Sequence, residues 1–151
     1  MVSLFAFLHH LAAFTLVASL AVEFVLINGE LSLEKARKLP VVDLIFGAAA
    51  TAVLIVGLFR VFYFEKGAPY YFHSIPFIAK LSLFLAVGLL SIYPTLQFLS
   101  WRSSLKQGLV PPVAPAKMRT IRSIIHWELA GVVLIILCAV LMARGVGYVG
   151  A

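Results

Sequence analysis

The residues with chemical potential in this sequence are few and they sit in apolar surroundings. His9, His10, His73 and His126 carry imidazoles, Arg60, Lys80 and Arg144 carry fixed positive charge, and Glu23, Asp43 and Glu128 carry carboxyls. Neutral imidazole ligates metal ions and haem iron. Cationic side chains pair with carboxylates such as porphyrin propionates. Carboxyls inside a membrane hold protons or cations. Placing a lysine, arginine or aspartate at the centre of a membrane helix costs about 2.5–3.5 kcal/mol on insertion scales, so such a residue is a functional hypothesis by default.

The elements that must position these groups follow from composition. The chain has 151 residues and is 63% hydrophobic, with a mean hydropathy of +1.08. Soluble proteins hold about 45–50% apolar residues. Four runs are long enough for membrane helices, at about Leu4–Ile27, Val41–Phe64, Ile75–Ser100 and Ile121–Ala143, against the roughly 20 residues a span needs. The first run lacks a basic leader and is too long for a signal peptide. Little chain is left over, so residues 1–151 read as a single all-α domain, an integral membrane four-helix bundle running up-down-up-down. Pro40 is expected to start the second helix, and the Pro-rich stretch after Trp101 is expected to be extended.

Net charge is +6, but its placement argues against nucleic acid as a partner. Lys35, Arg37 and Lys38 follow the first span, and Arg102, Lys106, Lys117, Arg119 and Arg122 lie between the third and fourth. By the positive-inside rule both loops are cytoplasmic. Both termini and the link around Lys66 then face outward, periplasmic in a bacterial inner membrane. Cys138 is the sole cysteine, so no intrachain disulfide can form. No Gly-rich phosphate loop and no HExxH motif occurs. His9 and His10 make a poor joint chelator on a helix, because adjacent side chains diverge by about 100°.

On a helical wheel His9 shares a face with Ala12, Ala13, Leu16 and Glu23, small residues that favour close helix contact. His10 instead shares a face with Phe14, Val17 and Phe24. His9 is therefore expected to point inward. Lys80 shares its face with Phe84, Val87 and Ser91. Asp43 and Arg60 bracket the small residues Gly47, Ala50 and Gly57. Tyr70 and Tyr71 suit an interfacial aromatic belt. His126 and Glu128 point in nearly opposite directions, and the wheel does not choose between them.

Counting depth at about 1.5 Å per residue places His9, Arg60 and Lys80 at one level, with Arg144 and His73 at the same end. This is a basic layer with histidine. Glu23, Asp43 and Glu128 form an acidic layer, with His126, near the other end. The basic layer suits haem b, with His9 or His10 on the iron, His73 or (only across a dimer, because of its different depth) His126 as a further ligand, and Arg60, Lys80 and Arg144 on the propionates. That implies electron transfer or haem-dependent oxidation of a porphyrin-like or quinone-like substrate. A plainer reading has the cations reaching out to headgroups. The acidic layer reads either as a proton or metal-ion path in a non-enzymatic membrane subunit or carrier, or as ion pairs with Lys38, Arg119 or Arg122. A bundle this small is expected to form a homodimer or to join a larger membrane complex.

Several stretches carry a resemblance. LHHLAAF from Leu8, the aspartate early in the second span, GLFRVFYFEKGAPYY from Gly57, FIAKLSLF from Phe77 with LLSIYPT beyond it, and MARGVG at the end resemble a bacterial four-span membrane family catalogued as domain of unknown function twenty-two fourteen. A histidine early in the first span and a lysine early in the third are also similar to the haem-containing membrane protoporphyrinogen oxidases. That second resemblance implies haem b near His9 or His10 and Lys80. The first span here lacks the tryptophan–glycine pattern of those oxidases.

Overall fold

The computed structural model describes residues 2–64 and 68–149. In chain order the elements are α1 (Val2–Ile27), α2 (Leu33–Phe59) continuing into a π-helical turn (Arg60–Phe64), α3 (Ala68–Phe72), α4 (Ile75–Ser100), α5 (Arg102–Lys106) and α6 (Pro115–Ala143). Helices α1, α2, α4 and α6 are long and apolar enough to cross a membrane. They form an antiparallel bundle in which α1 packs on α2 and α4 on α6, and contacts of α1 with α6 and α2 with α4 close the ring. Phe14, Leu44, Leu89 and Val133 stand exposed on the outside, as a lipid solvent allows. The bundle has a tail end, where residues 2 and 149 lie, and a loop end at 28–32 and 101–114. Of the tight turn that Gly67 and Pro69 are expected to make, Gly67 lies outside the described residues and Pro69 lies in α3.

Two helices start earlier than hydropathy suggests. Helix α2 begins at Leu33, with Pro40 inside it. The N-cap is Ser32, whose hydroxyl accepts a hydrogen bond from the Lys35 N–H at 3.2 Å. Glu34 sits in the first turn, where the helix dipole favours a negative charge, and it pairs with Lys38 one turn on. This polar stretch still buries Ala36 and Leu39 completely. Helix α6 begins at Pro115, whose missing N–H costs nothing in a first turn, and Ile121 and Ile125 make its buried stripe. The stretch after Trp101 is not wholly extended, since it holds α5. Trp101 is buried edge-on against Phe98, ring centroids 5.0 Å apart. Gly47 faces outward, with open space around it, so the small-residue stripe of α2 is only partly a bundle face.

The core is uneven along the axis. Phe98, Leu20, Ile27, Leu39, Ile121 and Ile125 are fully buried and fill the middle and loop end. Arg122 ties that end together, its guanidinium donating to the carbonyls of Ile27 at 2.9 Å and Gly29 at the foot of α1. Arg122→Ala is expected to cost about 1–2 kcal/mol, since charge-assisted hydrogen bonds are at stake, measured by unfolding in mixed micelles. The tail end has a smaller cluster of Val61, Tyr71 and Phe77, with Met142 against it. There α6 stops at Gly145, whose φ of +71° suits glycine. Val146 N–H donates to the Leu141 carbonyl and Gly145 N–H to that of Met142, the double closure that caps a helix C-terminus. The tail then pairs with the lead-in to α4, Val149 N–H donating to His73 O and Ile75 N–H to Gly147 O, both at 3.0 Å.

Candidate functional site: a histidine-bearing cavity and a buried carboxyl layer

Between the two core clusters lies a cavity of about 560 Å³, walled by α1, α2, α4 and α6 and open on one side. Its polar lining is His9, His10, Arg60 and Lys80, and apolar side chains including Val53, Phe77, Phe84, Ile135 and Ala139 make most of the wall. His9 is inward, as its helical face implies. The imidazole lies over Gly57, where a Cβ would come within 3.1 Å of His9 Cε1, so the absence of a side chain at 57 makes room for the ring. His9 Nδ1 is buried and has no hydrogen-bond partner among the described residues. His10 is exposed at the cavity rim, its Nδ1 donating to the Ala6 carbonyl at 2.7 Å. The two imidazoles stand edge-on, centroids 6.1 Å apart. Lys80 Nζ lies 5.5 Å from the centre of the Phe77 ring. Arg60 opens the π-helical turn, a departure from α geometry that is frequent at functional sites.

The other residues of the expected basic layer fall outside the cavity. Arg144 is exposed in the turn that ends α6. His73 is exposed, its Nδ1 donating to the Pro69 carbonyl at 2.6 Å. His126 is also exposed, against Phe24 and Trp127 on the outer surface of the loop half. Neither imidazole lines the cavity that holds His9. Tyr71, expected in an interfacial belt, is buried and lines the cavity.

Nearer the loop end, all four spans contribute to one polar layer. Glu23 of α1 is 1% exposed, Asp43 of α2 is 7% and Glu128 of α6 is 1%. Thr95 of α4 donates its hydroxyl to Asp43 Oδ1 at 2.9 Å. Glu128 thus turns inward and His126 outward. The ion pairs expected with Lys38, Arg119 and Arg122 do not form. Lys38 pairs with Glu34, Arg122 caps α1, and Arg119 is exposed beside the loop at 28–32. Thr95 escaped the sequence reading, although Pro94 beside it breaks the helical hydrogen-bond ladder and marks the spot. The described residues contain no group of three or more His, Cys, Asp or Glu side chains arranged to hold a metal ion.

A four-span helical bundle with lipid-facing outer surfaces and ionisable groups turned inward is an integral membrane protein. Residues 2–147 match the family described as "Predicted membrane protein (DUF2214)", and the chain belongs to that family. No curated protein and no solved structure matches it, so the likeness to haem-containing oxidases gains no support from these comparisons.

Proposed function

We propose that this chain is a haem-b-binding membrane protein of electron transfer or of the oxidation of a porphyrin-like or quinone-like substrate. The observation that carries the reading is His9, an inward imidazole with unused hydrogen-bonding capacity, lining an apolar cavity together with two cations. The volume lies within the roughly 300–1,000 Å³ usual for cofactor pockets. The donor set fits the group. His9 would hold the iron, and Lys80 and Arg60 would meet the propionates by charge-assisted hydrogen bonds. Tyr71, Phe77 and Phe84 would exclude water. Bound haem would supply a one-electron couple whose potential depends on its axial ligand and on burial.

The test is the optical spectrum of protein purified from haem-replete cells. A Soret band and a pyridine haemochrome signal near one haem per chain are expected, and absence of both overturns the reading. Lys80→Met is expected to lower haem content severalfold without abolishing it, measured by the same haemochrome. Unchanged content would mean that Lys80 merely reaches toward the headgroups.

The basic loops support a cytoplasmic loop end in a bacterial inner membrane, with the cavity near the periplasmic side. A C-terminal alkaline phosphatase fusion is then expected to be active and a C-terminal green fluorescent fusion dark. The reverse pattern would invert the topology. The rim at His10 opens beside exposed apolar surface, which suits a second copy of the chain or a larger membrane complex.

A further inference from the structure

The carboxyl layer has no part in the haem reading, and its geometry is unusual. Three acidic side chains from three spans are buried in the bundle interior. Glu23 lies within electrostatic reach of Asp43 and Glu128, and Glu128 of Asp43. Asp43 has the Thr95 hydroxyl. Glu23 Oε1 and Glu128 Oε1, on side chains each 1% exposed, have no hydrogen-bond partner among the described residues. The ion pair between Lys38 and Glu34 lies elsewhere, in the exposed first turns of α2. Of the nearby titratable side chains, His126 faces outward and Tyr93 is half-buried.

An ionised carboxylate stripped of water is very costly unless a cation or several donors replace the lost hydration. Among the described residues the Thr95 hydroxyl is the side-chain donor that reaches these carboxyls, and the carboxyls are not arranged as a metal site. What remains to meet them is the smallest cation. We propose that Glu23, Asp43 and Glu128 form a proton-binding site that exchanges protons with water at the loop end of the bundle. Uptake forms an O–H bond on a carboxylate oxygen. Release breaks that bond and returns the proton to water, with no electron transferred. Thr95 orients Asp43 and leaves the two glutamates to take and give protons. The apolar layer of Leu16, Leu20, Phe46 and Val87 separates this site from the cavity, so the inference stands whether or not haem binds.

Infrared spectroscopy on the full chain in lipid nanodiscs tests it. At neutral pH a protonated-carboxyl C=O band is expected, shifting to lower frequency in D₂O as the site exchanges. Glu23→Gln and Glu128→Gln are each expected to remove a component of that band. Glu34→Gln, at the exposed pair with Lys38, is expected to leave it whole. Absence of the band in the wild-type protein, or a band unmoved by D₂O, overturns the proposal. Loss of the band on adding Na⁺ or Ca²⁺ at constant pH also overturns it, in favour of a metal-cation site. If a glutamine variant does not fold, the wild-type band and its D₂O shift decide. Haem-free protein is expected to give the same band, which keeps this test apart from that of the cavity.

Discussion

Protein carrying His9→Ala is expected to be purified with more than about 10-fold less haem than the wild type, a loss at least as large as that from removing a metal ligand's supporting contact. His73→Ala and His126→Ala are expected to retain it. The contrast rests on position. His9 projects over Gly57 into the cavity, whereas His73 is held by the Pro69 carbonyl outside it and His126 sits on the outer surface of the loop half. His10→Ala should fall between, because His10 borders the rim and its Nδ1 is committed to Ala6. Gly57→Ala adds a finer test. The new methyl would crowd the His9 ring by a few tenths of an ångström and should shift the Soret band while leaving much of the haem in place. If His9→Ala kept full haem content, the ligand would lie elsewhere and the cavity would lose its claim.

How far these features could be read beforehand depended on the solvent each residue meets. The four spans were plain because an apolar run about 20 residues long has one common use. The inward turn of His9 was legible because it shares its face with small residues, whereas the face of Lys80 left a reach toward headgroups open. The choice between His126 and Glu128 was not. In a lipid-solvated helix the outer face is as apolar as the inner one, so hydropathy does not separate them. The buried series Ile121, Ile125, Glu128 and Val132 recurs at helical spacing, but Ile124 and Val133 beside it look no different in sequence. The early start of α2 was hidden for the opposite reason. Its first turns emerge from the apolar run and are polar outside, and Pro40 resembles a start signal. The cap at Ser32 and the pair of Glu34 with Lys38 were the better guides. Thr95 was missed because a threonine in a membrane helix usually bonds its own backbone, as Thr15 does with the Leu11 carbonyl. Only the depth of Asp43 on a neighbouring span distinguishes it.

Introducing leucine at Gly131 is expected to be the most damaging single change to the bundle. Helices in lipid gain little from the hydrophobic effect and depend on close packing. Here α6 approaches α4 so closely that a Cβ at 131 would lie 2.6 Å from Val87 Cγ2. Val87 is buried and β-branched, and branched side chains have one strongly preferred rotamer in a helix, so it cannot swing away cheaply. Overpacking of a filled core costs about 1–3 kcal/mol and sometimes more, and Gly131→Leu is expected at or beyond the upper end. Gly131→Ala should cost less, because alanine recovers up to about 1 kcal/mol of helix propensity. The decisive measurement is a double-mutant cycle in mixed micelles. With Val87→Ala in place the methyl at 131 has room, and the two changes should be less than additive by about 1 kcal/mol, within the range for residues in contact. Strict additivity would mean that the α4–α6 contact is looser than its geometry implies. The same contact sets Phe84 and Lys80 of α4 against Ile135 and Ala139 of α6 around the cavity. Gly131→Leu should therefore empty the cavity of haem as it unfolds the bundle, whereas His9→Ala should empty it with the fold intact, and circular dichroism on both variants separates the two causes.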